Sequence, residues 1–454
     1  MILRDYQQTL FSEIQSCLRD KIRNPLVCSP TGSGKTATFC YIAHRASNAG
    51  NEVLILVHRR ELVTQTSATL SRFDVPHGII MPGITPNPMA RVQLAMVQTV
   101  SRRIEKIKKP ALIIVDECHH CVSPTYANII ESFPRASVIG FSATPERLDG
   151  KGLKNHFSKI IMGPTVQWLI DNGHLVKPKY FSTPVVADLS GVKTRAGDYA
   201  SDDLAERMCK PRVIGDAVEH YVKVCNNALA VAFCVNLKHA ENTMHNFNSS
   251  GIPCGIIHGG QTNAERKQVV DDLSTGRIKV MTSVDVVSEG FDLPAAEVAI
   301  LLRPTKSLGL HLQQIGRVLR PSKDKQAVVL DHVGNLFKHG TAEQAREWSL
   351  EDRDRKDGSG KGESNLYTQC EKCYCMYEKT EEACPECGFI KPVKVRKIDY
   401  TDGQLVEFDT IKTAPLKELL TKVRSRQELK KIAQIRGYKP GWAWHISKEL
   451  GLTR

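Results

Sequence analysis

The chain has 454 residues, 41% hydrophobic and 24% charged, with 62 Lys and Arg against 49 Asp and Glu. That length holds about two to four domains with real cores; no apolar run approaches a membrane span, and the N-terminal Met-Ile-Leu-Arg-Asp has no signal-peptide architecture. The formal net charge of +13 favours an anionic partner, most commonly nucleic acid, and most of the fourteen cysteines, such as Cys28, Cys40 and Cys234, stand singly in apolar runs as expected of reduced thiols.

The first apolar run, Leu26-Val27-Cys28, leads into Ser29-Pro-Thr-Gly-Ser-Gly-Lys-Thr36 and then a helix-like segment to Ala46. Strand, glycine loop and helix in that order make a phosphate-binding loop. Gly32 and Gly34, on either side of Ser33, let the backbone curl so that successive N–H groups point at a phosphate. The helix N-terminus behind them adds partial positive charge. Lys35 is expected to reach the β- and γ-phosphates of ATP, and the Thr36 hydroxyl to ligate Mg²⁺. Ser29 stands where the usual pattern has its first glycine. The competing reading is a glycine turn before an ordinary helix, and it weakens as further motifs follow in order.

Residues 52–58, 91–97, 111–115 and 137–141 read as further buried strands, and helix-like spacers separate them. That alternation marks a parallel α/β sheet. The run Ala111–Val115 ends in Asp116-Glu117-Cys118-His119, which puts carboxylates at the C-terminal end of a buried strand, where such sheets bind ligands. Asp116 is expected to hold Mg²⁺, directly or through water, and Glu117 to orient and deprotonate the attacking water. An acidic pair that merely caps a strand is the alternative. Ser142-Ala143-Thr144 closes another strand, with hydroxyls in position to sense the nucleotide state. A second series of strand-like runs, at 229–235, 253–257, 278–282, 298–302 and 327–331, implies a second sheet domain.

Gln7, the loop 29–36, Asp116–His119 and Ser142–Thr144 together resemble the ordered motifs of superfamily-2 helicases of the DEAD/DEAH class. In the second half, Thr282-Ser-Val-Asp285 and Glu289-Gly-Phe-Asp292 resemble the family motif that touches nucleic acid and the nucleotide ribose. Gln313-Gln-Ile-Gly-Arg-Val-Leu-Arg320 resembles its arginine-finger motif. The resemblance covers about residues 1–340, and Leu301–Thr305 and Leu330–Asn335 look most like RadD-type repair ATPases and related phage helicases. It implies two tandem RecA-like parallel-sheet domains. By the same resemblance, Arg4 and Gln7 recognise adenine, Asp292 serves the nucleotide, and Gln313, Arg317 and Arg320 complete catalysis from across the cleft. Nucleic-acid contacts are implied for Arg59, Arg60 and Glu61, for Gln98 and Thr99, for His258 and Gly259, and for Thr282. An arginine finger on a second domain makes hydrolysis depend on closure, and closure changes the grip on a bound strand.

Residues 346–366 are charged, then glycine-rich, and read as a linker. Cys370-x-x-Cys373, ten residues, and Cys384-x-x-Cys387-Gly follow. Two such pairs bring four thiolates into tetrahedral reach, the spacing of a structural zinc ribbon, with Cys375 as the surplus thiol. A redox pair fits the double spacing poorly; an iron–sulfur cluster is the other metal alternative. Metal is expected to supply most of the ribbon's folding energy, while the sheets before the linker own their cores. From 391 to 454, fifteen Lys and Arg stand against seven Asp and Glu. Apolar periodicity at Leu416–Val423 and Leu429–Ala433, the Ser425-x-x-Glu428 capping box and Gly437 as stop make a basic helical tail. Its Trp442 and Trp444 either stack on nucleic acid or fill a small core.

The expected architecture is therefore α/β. It comprises a RecA-like ATP-binding domain (1–165), a connector (166–207), a RecA-like C-terminal domain (208–345), a linker (346–366), a zinc ribbon (367–392) and a basic helical tail (393–454). The expected function is an ATP- and Mg²⁺-dependent nucleic-acid motor, monomeric, favouring DNA through the family likeness, in a bacterial or phage-infected host cytoplasm. A translocase that remodels complexes without unwinding, and a zinc-dependent nucleic-acid-binding adaptor with a switch-like ATPase, remain open at this stage.

Overall fold

Continuous apolar runs form the centres of two parallel sheets in the computed structural model of the chain. The structure describes residues 2–145, 150–182, 193–195, 198–199, 204–205, 208, 211–225, 227–286, 295–322, 324–352, 367–390, 416–439 and 441–452. The first sheet contains β1 (Pro25–Cys28), β2 (Val53–Val57), β3 (His77–Ile80), β4 (Val92–Met96), β5 (Leu112–Asp116), β6 (Ser137–Ser142) and β7 (Lys159–Met162). Their order is β3-β4-β2-β5-β6-β1-β7, with every pairing parallel. Helices cover both faces, so β1, β2 and β5 are buried at every position. Successive side chains point to opposite faces and build two cores, one around Phe39, Ile55, Leu70 and Phe141, the other around Leu54, Ile113, Val138 and Phe157.

The second sheet contains β8 (Pro178–Ser182), then, after the two-residue strands β9 (Thr194–Arg195) and β10 (Asp198–Tyr199), β11 (Ala230–Phe233), β12 (Cys254–Ile257), β13 (Val280–Ser283), β14 (Val298–Leu301) and β15 (Ala327–Asp331). The order is β12-β13-β11-β14-β15-β8, again parallel throughout. One boundary differs from the sequence reading. β8 lies inside 166–207, read as connector, yet it pairs with β15 from Pro178 against Ala327 to Ser182 against Asp331. As an edge strand it tolerates a proline at its first position.

Residues 346–352, read as the start of a free linker, instead return to the first domain. The Leu153 and Lys154 amides donate to the Leu350 carbonyl at 2.9 and 3.1 Å, and the Gly152 amide to Asp352 Oδ1 at 2.6 Å. Lys154 pairs with Glu351, and Trp348 and Leu350 pack against the first sheet's core. A Cβ on Gly152 would overlap the Leu350 carbonyl oxygen. Gly152→Ala is therefore expected to lift this strap and destabilise the protein by about 1–3 kcal/mol, read as a fall in melting temperature of several degrees.

The cysteine module is not independent either. Its hairpin, β16 (Tyr367–Gln369) with β17 (Met376–Glu378), docks beside β8. Phe181 forms an antiparallel bridge with Cys375, the Ser182 amide donates to the Tyr374 carbonyl at 3.3 Å, and Lys179 pairs with Glu386 at 2.7 Å. Cys370, Cys375, Tyr377 and Cys384 share one apolar cluster with Phe181, Tyr221 and Leu330. The hairpin closes an edge that the second sheet would otherwise leave open.

The chain divides into two compact units, residues 1–391 and 392–454. The second holds helices Leu416–Lys422, Arg426–Arg436 and Trp442–Glu449 around Val423, Leu429, Ile432 and Ala443. Ser425 caps the middle helix by accepting from the Glu428 amide, and Gly437 ends it with φ 67°. Trp442 packs on that core, its ring tilted at 41° to that of Tyr438 with centroids 4.6 Å apart, whereas Trp444 is exposed with Lys448 over its ring. Among the described residues no helix is long and apolar enough to cross a membrane.

Candidate nucleotide and nucleic-acid site

The loop after β1 adopts the expected curl. Gly32 and Gly34 have φ of 87° and 79°, and Gly34 opens the helix Lys35–Asn48. Lys35 Nζ donates to the Ser29 carbonyl at 3.1 Å, which holds the ammonium over the loop. Ser29 fills the place of the usual first glycine by bonding Ser33 Oγ at 2.7 Å. Gln7 is buried, and its amide ties the first helix to the loop. Gln7 Oε1 accepts from the Arg4 amide at 3.0 Å, and Nε2 donates to the Ser33 and Gly34 carbonyls at 3.3 Å. Tyr6, which the sequence reading passed over, donates from its hydroxyl to the Ser33 carbonyl at 2.8 Å and stacks edge-on with Trp168. Its position next to Gln7 was the available signal.

At the end of β5, Asp116 is buried and its Oδ1 accepts from the Glu117 amide at 3.0 Å. Glu117 sits at φ 49°, a left-handed conformation that costs about 1–3 kcal/mol in a residue with a side chain. Its Oε2 is buried, lies 3.4 Å from His119 Nδ1 and accepts no hydrogen bond among the described residues. His119 Nδ1 also lies 3.1 Å from Ser142 Oγ, which in turn bonds the Thr144 carbonyl and amide at 2.9 and 3.1 Å. The acidic pair and the Ser-Ala-Thr segment are thus one connected polar unit.

The second domain closes directly on these elements. In the helix Leu308–Gly316, a Cβ on Gly309 would stand 2.8 Å from Thr144 Oγ1, and one on Gly316 would stand 2.7 Å from Thr31 Cβ. Glycine at both places lets the helix lie against the phosphate loop and the Thr144 segment together. Gln313 and Arg317 are buried in this helix and its cap, and burial pulls the Arg320 guanidinium below its usual value. Asp292 lies outside the described residues.

On the adjoining face, Arg59 Nη1 donates to the Asp285 carbonyl at 2.8 Å, across the two domains. Glu61 pairs with Arg266, whose Nε and Nη2 donate to the His258 and Gly259 carbonyls at 3.2 and 2.7 Å. Arg266 thereby joins two of the expected nucleic-acid segments, and a cavity of about 320 Å³ opens beside it, lined by Arg60, Thr64 and Lys267. Gln98 is exposed and Thr99 buried on the short helix Val97–Val100. Thr282 is fully buried in β13, and its hydroxyl donates to the Gly255 carbonyl at 3.3 Å.

The sulfurs of Cys370, Cys373, Cys384 and Cys387 all lie within 4.8 Å of one another, with Cys370 and Cys387 at 3.5 Å and Cys373 and Cys384 at 3.6 Å. Four thiolates around one ion at about 2.3 Å stand about 3.8 Å apart, so the donor set fits a tetrahedral metal. Cys375 is turned away, toward the Met376 carbonyl.

A family described as type III restriction enzyme, res subunit, matches residues 1–147, and one described as helicase conserved C-terminal domain matches residues 214–322. The chain is 34% identical over 421 residues to a 51.5 kDa protein of Lactococcus phage (isolate 7-9), covering 90% of this chain and 88% of that one. It is 32% identical over 355 residues to the putative ATP-dependent helicase IRC3 of Saccharomyces cerevisiae, covering 73% of this chain and 52%, about half, of that one. Its fold resembles a fragment of a putative HsdR subunit of a type I restriction enzyme from Vibrio vulnificus, with TM-score 0.60, 19% identity and coverage of 76% and 68%. It also resembles S. cerevisiae Dbp5 bound to RNA and ADP BeF3, with TM-score 0.52, 16% identity and coverage of 75% and 93%. With both helicase domains matched in order, and the second closing its helix on the phosphate loop of the first, the chain belongs to the superfamily-2 helicases, ATP-driven motors on nucleic acid.

Proposed function

We propose that this chain is a DNA-directed motor whose two sheets close on ATP and reopen after hydrolysis, so that each cycle shifts its hold on one strand. The observation that carries the reading is the seating of helix Leu308–Gly316 on Thr31 and Thr144 through Gly316 and Gly309. Closure brings Arg317, the next residue after Gly316, to the phosphate loop, and the same movement joins Arg266 to Glu61 at the strand-binding face. Thr36 and Asp116 would hold Mg²⁺, which when bound supplies positive charge to the transferred phosphate. Lys35 steadies the phosphates, Glu117 takes the proton of the attacking water, and Arg317 and Arg320 stabilise charge as it develops. Arg4 and Gln7 face the adenine side of the same loop.

DNA is favoured by the restriction-enzyme family matched at residues 1–147, and the phage relative suits a host cytoplasm. A monomer suffices, since both halves of the site are on one chain. An ATPase assay with single-stranded DNA, forked DNA, duplex DNA and RNA side by side tests this. DNA stimulation supports the reading, stimulation by RNA alone overturns the DNA assignment, and no stimulation by any strand overturns the motor. Translocation without unwinding is a second reading, favoured by the 24% identity over 375 residues to a protein named DNA 3'-5' translocase XPB2. Strand separation on the forked substrate distinguishes the two.

The cysteine module is proposed to hold one zinc. Because Cys370 and Cys384 share a core with Phe181, Tyr221 and Leu330, the metal should stabilise the second sheet as well as the ribbon. Double substitution of Cys384 and Cys387 to Ser is expected to remove about one zinc per chain and to lower the melting temperature by at least about 5 °C. Metal analysis with thermal unfolding checks it. Full stability without metal would reduce the ribbon to an appendage.

A further inference from the structure

A cavity of about 410 Å³ lies where the cysteine module meets the second sheet, walled by Phe181, Leu330, His332, Lys223 and Tyr374. It opens at the C-terminal ends of β8 and β15, the edge on which parallel sheets bind ligands. His332 is more than nine-tenths buried, and its Nε2 has no hydrogen-bond partner among the described residues. Burial pushes this imidazole down to about 3, helped by the neighbouring His220 ring stacked 5.2 Å away, so it is a neutral polar group at neutral pH. His332 thus contributes a neutral ring to the wall, and a buried polar atom left unpaired there is costly.

Tyr374 supplies the second observation. It follows Cys373 at the position where the other knuckle has Gly388, and both residues are left-handed, with φ of 62° and 67°. Glycine is the natural occupant of that conformation, so a tyrosine there is held at a cost of about 1–3 kcal/mol. Tyr374 is 37% exposed and lines the cavity. Two cations, Lys223 and Lys372, also border the space. Of the two carboxylates on its wall, Glu386 is engaged by Lys179, and Asp331 accepts from the Val333 and Leu336 amides.

We infer that this cavity takes one unpaired nucleotide of the strand on which the motor works, the base stacked on Tyr374 beside the His332 ring, the phosphate against Lys223 and Lys372. An aromatic face and paired cations for the backbone are the parts from which single-strand sites are built. The expected strand contacts at His258 and Gly259 follow β12 on the same edge of the sheet. Four strand spacings separate β12 from β15, about 19 Å, which an extended strand crosses in a few nucleotides. The inference rests on the motor reading and adds a second, auxiliary grip outside the two-domain groove.

The test uses the full chain with a 20-nucleotide oligo-dT and a 20-nucleotide oligo-U, with zinc content and melting temperature as fold controls. Tyr374→Gly installs the residue that the backbone favours and removes the ring. It is expected to weaken binding about five- to a hundredfold. Lys223→Ala, on the outer helix Pro211–Cys225, should weaken binding and reduce the salt slope by about 0.7. In the unmutated protein, oligo-dT carrying 5-iodouracil should photo-cross-link at Tyr374; the oligo-U arm shows whether a 2′-hydroxyl is accepted. If the unmutated protein binds neither oligonucleotide, the inference fails, and the ATPase assay with duplex and forked DNA decides the motor reading separately. If it binds, but both variants match it and every cross-link falls within the segments 59–65 and 258–267, the cavity is no nucleotide site and the motor reading stands.

Discussion

Arg317→Ala and Arg320→Ala are each expected to leave ATP binding largely intact and to lower nucleic-acid-stimulated turnover by about two to four decades. In the proposed mechanism the first domain supplies Lys35 and the loop amides to hold the ground-state phosphates, but the charge that develops during transfer needs a further cation. Arg317 is buried at the end of a helix that abuts the phosphate loop, and Arg320 lies one turn on, in surroundings dry enough to depress its basicity. A guanidinium preorganised in such a place is worth more than one in water, because water does not screen it. Gly316→Ala separates chemistry from closure. Its methyl would press on Thr31 without touching either cation, so turnover should fall because the domains seat less closely. Arg317→Lys should recover part of the lost rate, since it keeps a charge but loses the planar fork. Single-turnover hydrolysis with saturating DNA measures all four variants. Wild-type turnover in both alanine variants would falsify the finger assignment.

How much of this was legible beforehand depended on how locally each feature is encoded. The central strands β2, β5, β11 and β14 are covered on both faces, so they appear as unbroken apolar runs. The edge strands β3, β7 and β8 are not. His77-Gly-Ile-Ile80 alternates, Lys159 and Met162 are exposed, and Pro178-Lys179 opens β8, so none carries the buried-strand pattern. The phosphate loop and the Asp116-Glu117 pair were readable because their chemistry sits within eight residues and within two. The strap at Trp348 and Leu350 was not, because two apolar residues among charges have no period. The paired spacing of Cys370, Cys373, Cys384 and Cys387 marked the metal donors, but the docking of that module on β8 rests on backbone groups of Ser182 and Tyr374, whose pairing leaves no mark in residue type. Thr282 entered through its family-like motif, and its complete burial in β13 follows from a strand flanked on both sides, which the motif alone does not encode.

Glu117→Gln is expected to lower hydrolysis by about two to four decades while ATP and the nucleic acid stay bound. The amide keeps the size and the left-handed backbone of Glu117 but accepts no proton from water. Asp116 and Thr36 are untouched, so Mg²⁺ and the phosphates should remain. The closed state would then persist, because what ends it is loss of the γ-phosphate, and the dissociation of a labelled strand in ATP should slow in step with hydrolysis. His119 makes this sharper. Its Nδ1 stands 3.4 Å from Glu117 Oε2 and 3.1 Å from Ser142 Oγ, and Ser142 holds Thr144, which meets Gly309 of the second domain. A base steered from the closing helix explains why hydrolysis should depend on the strand that favours closure. His119→Ala should therefore reduce stimulation by nucleic acid more than it reduces the basal rate, whereas Glu117→Gln should remove both. Basal and stimulated rates measured on the two variants test the connection. Near-wild-type hydrolysis in Glu117→Gln would mean that another group takes the proton, and equal losses in both rates for His119→Ala would leave the imidazole a packing role alone.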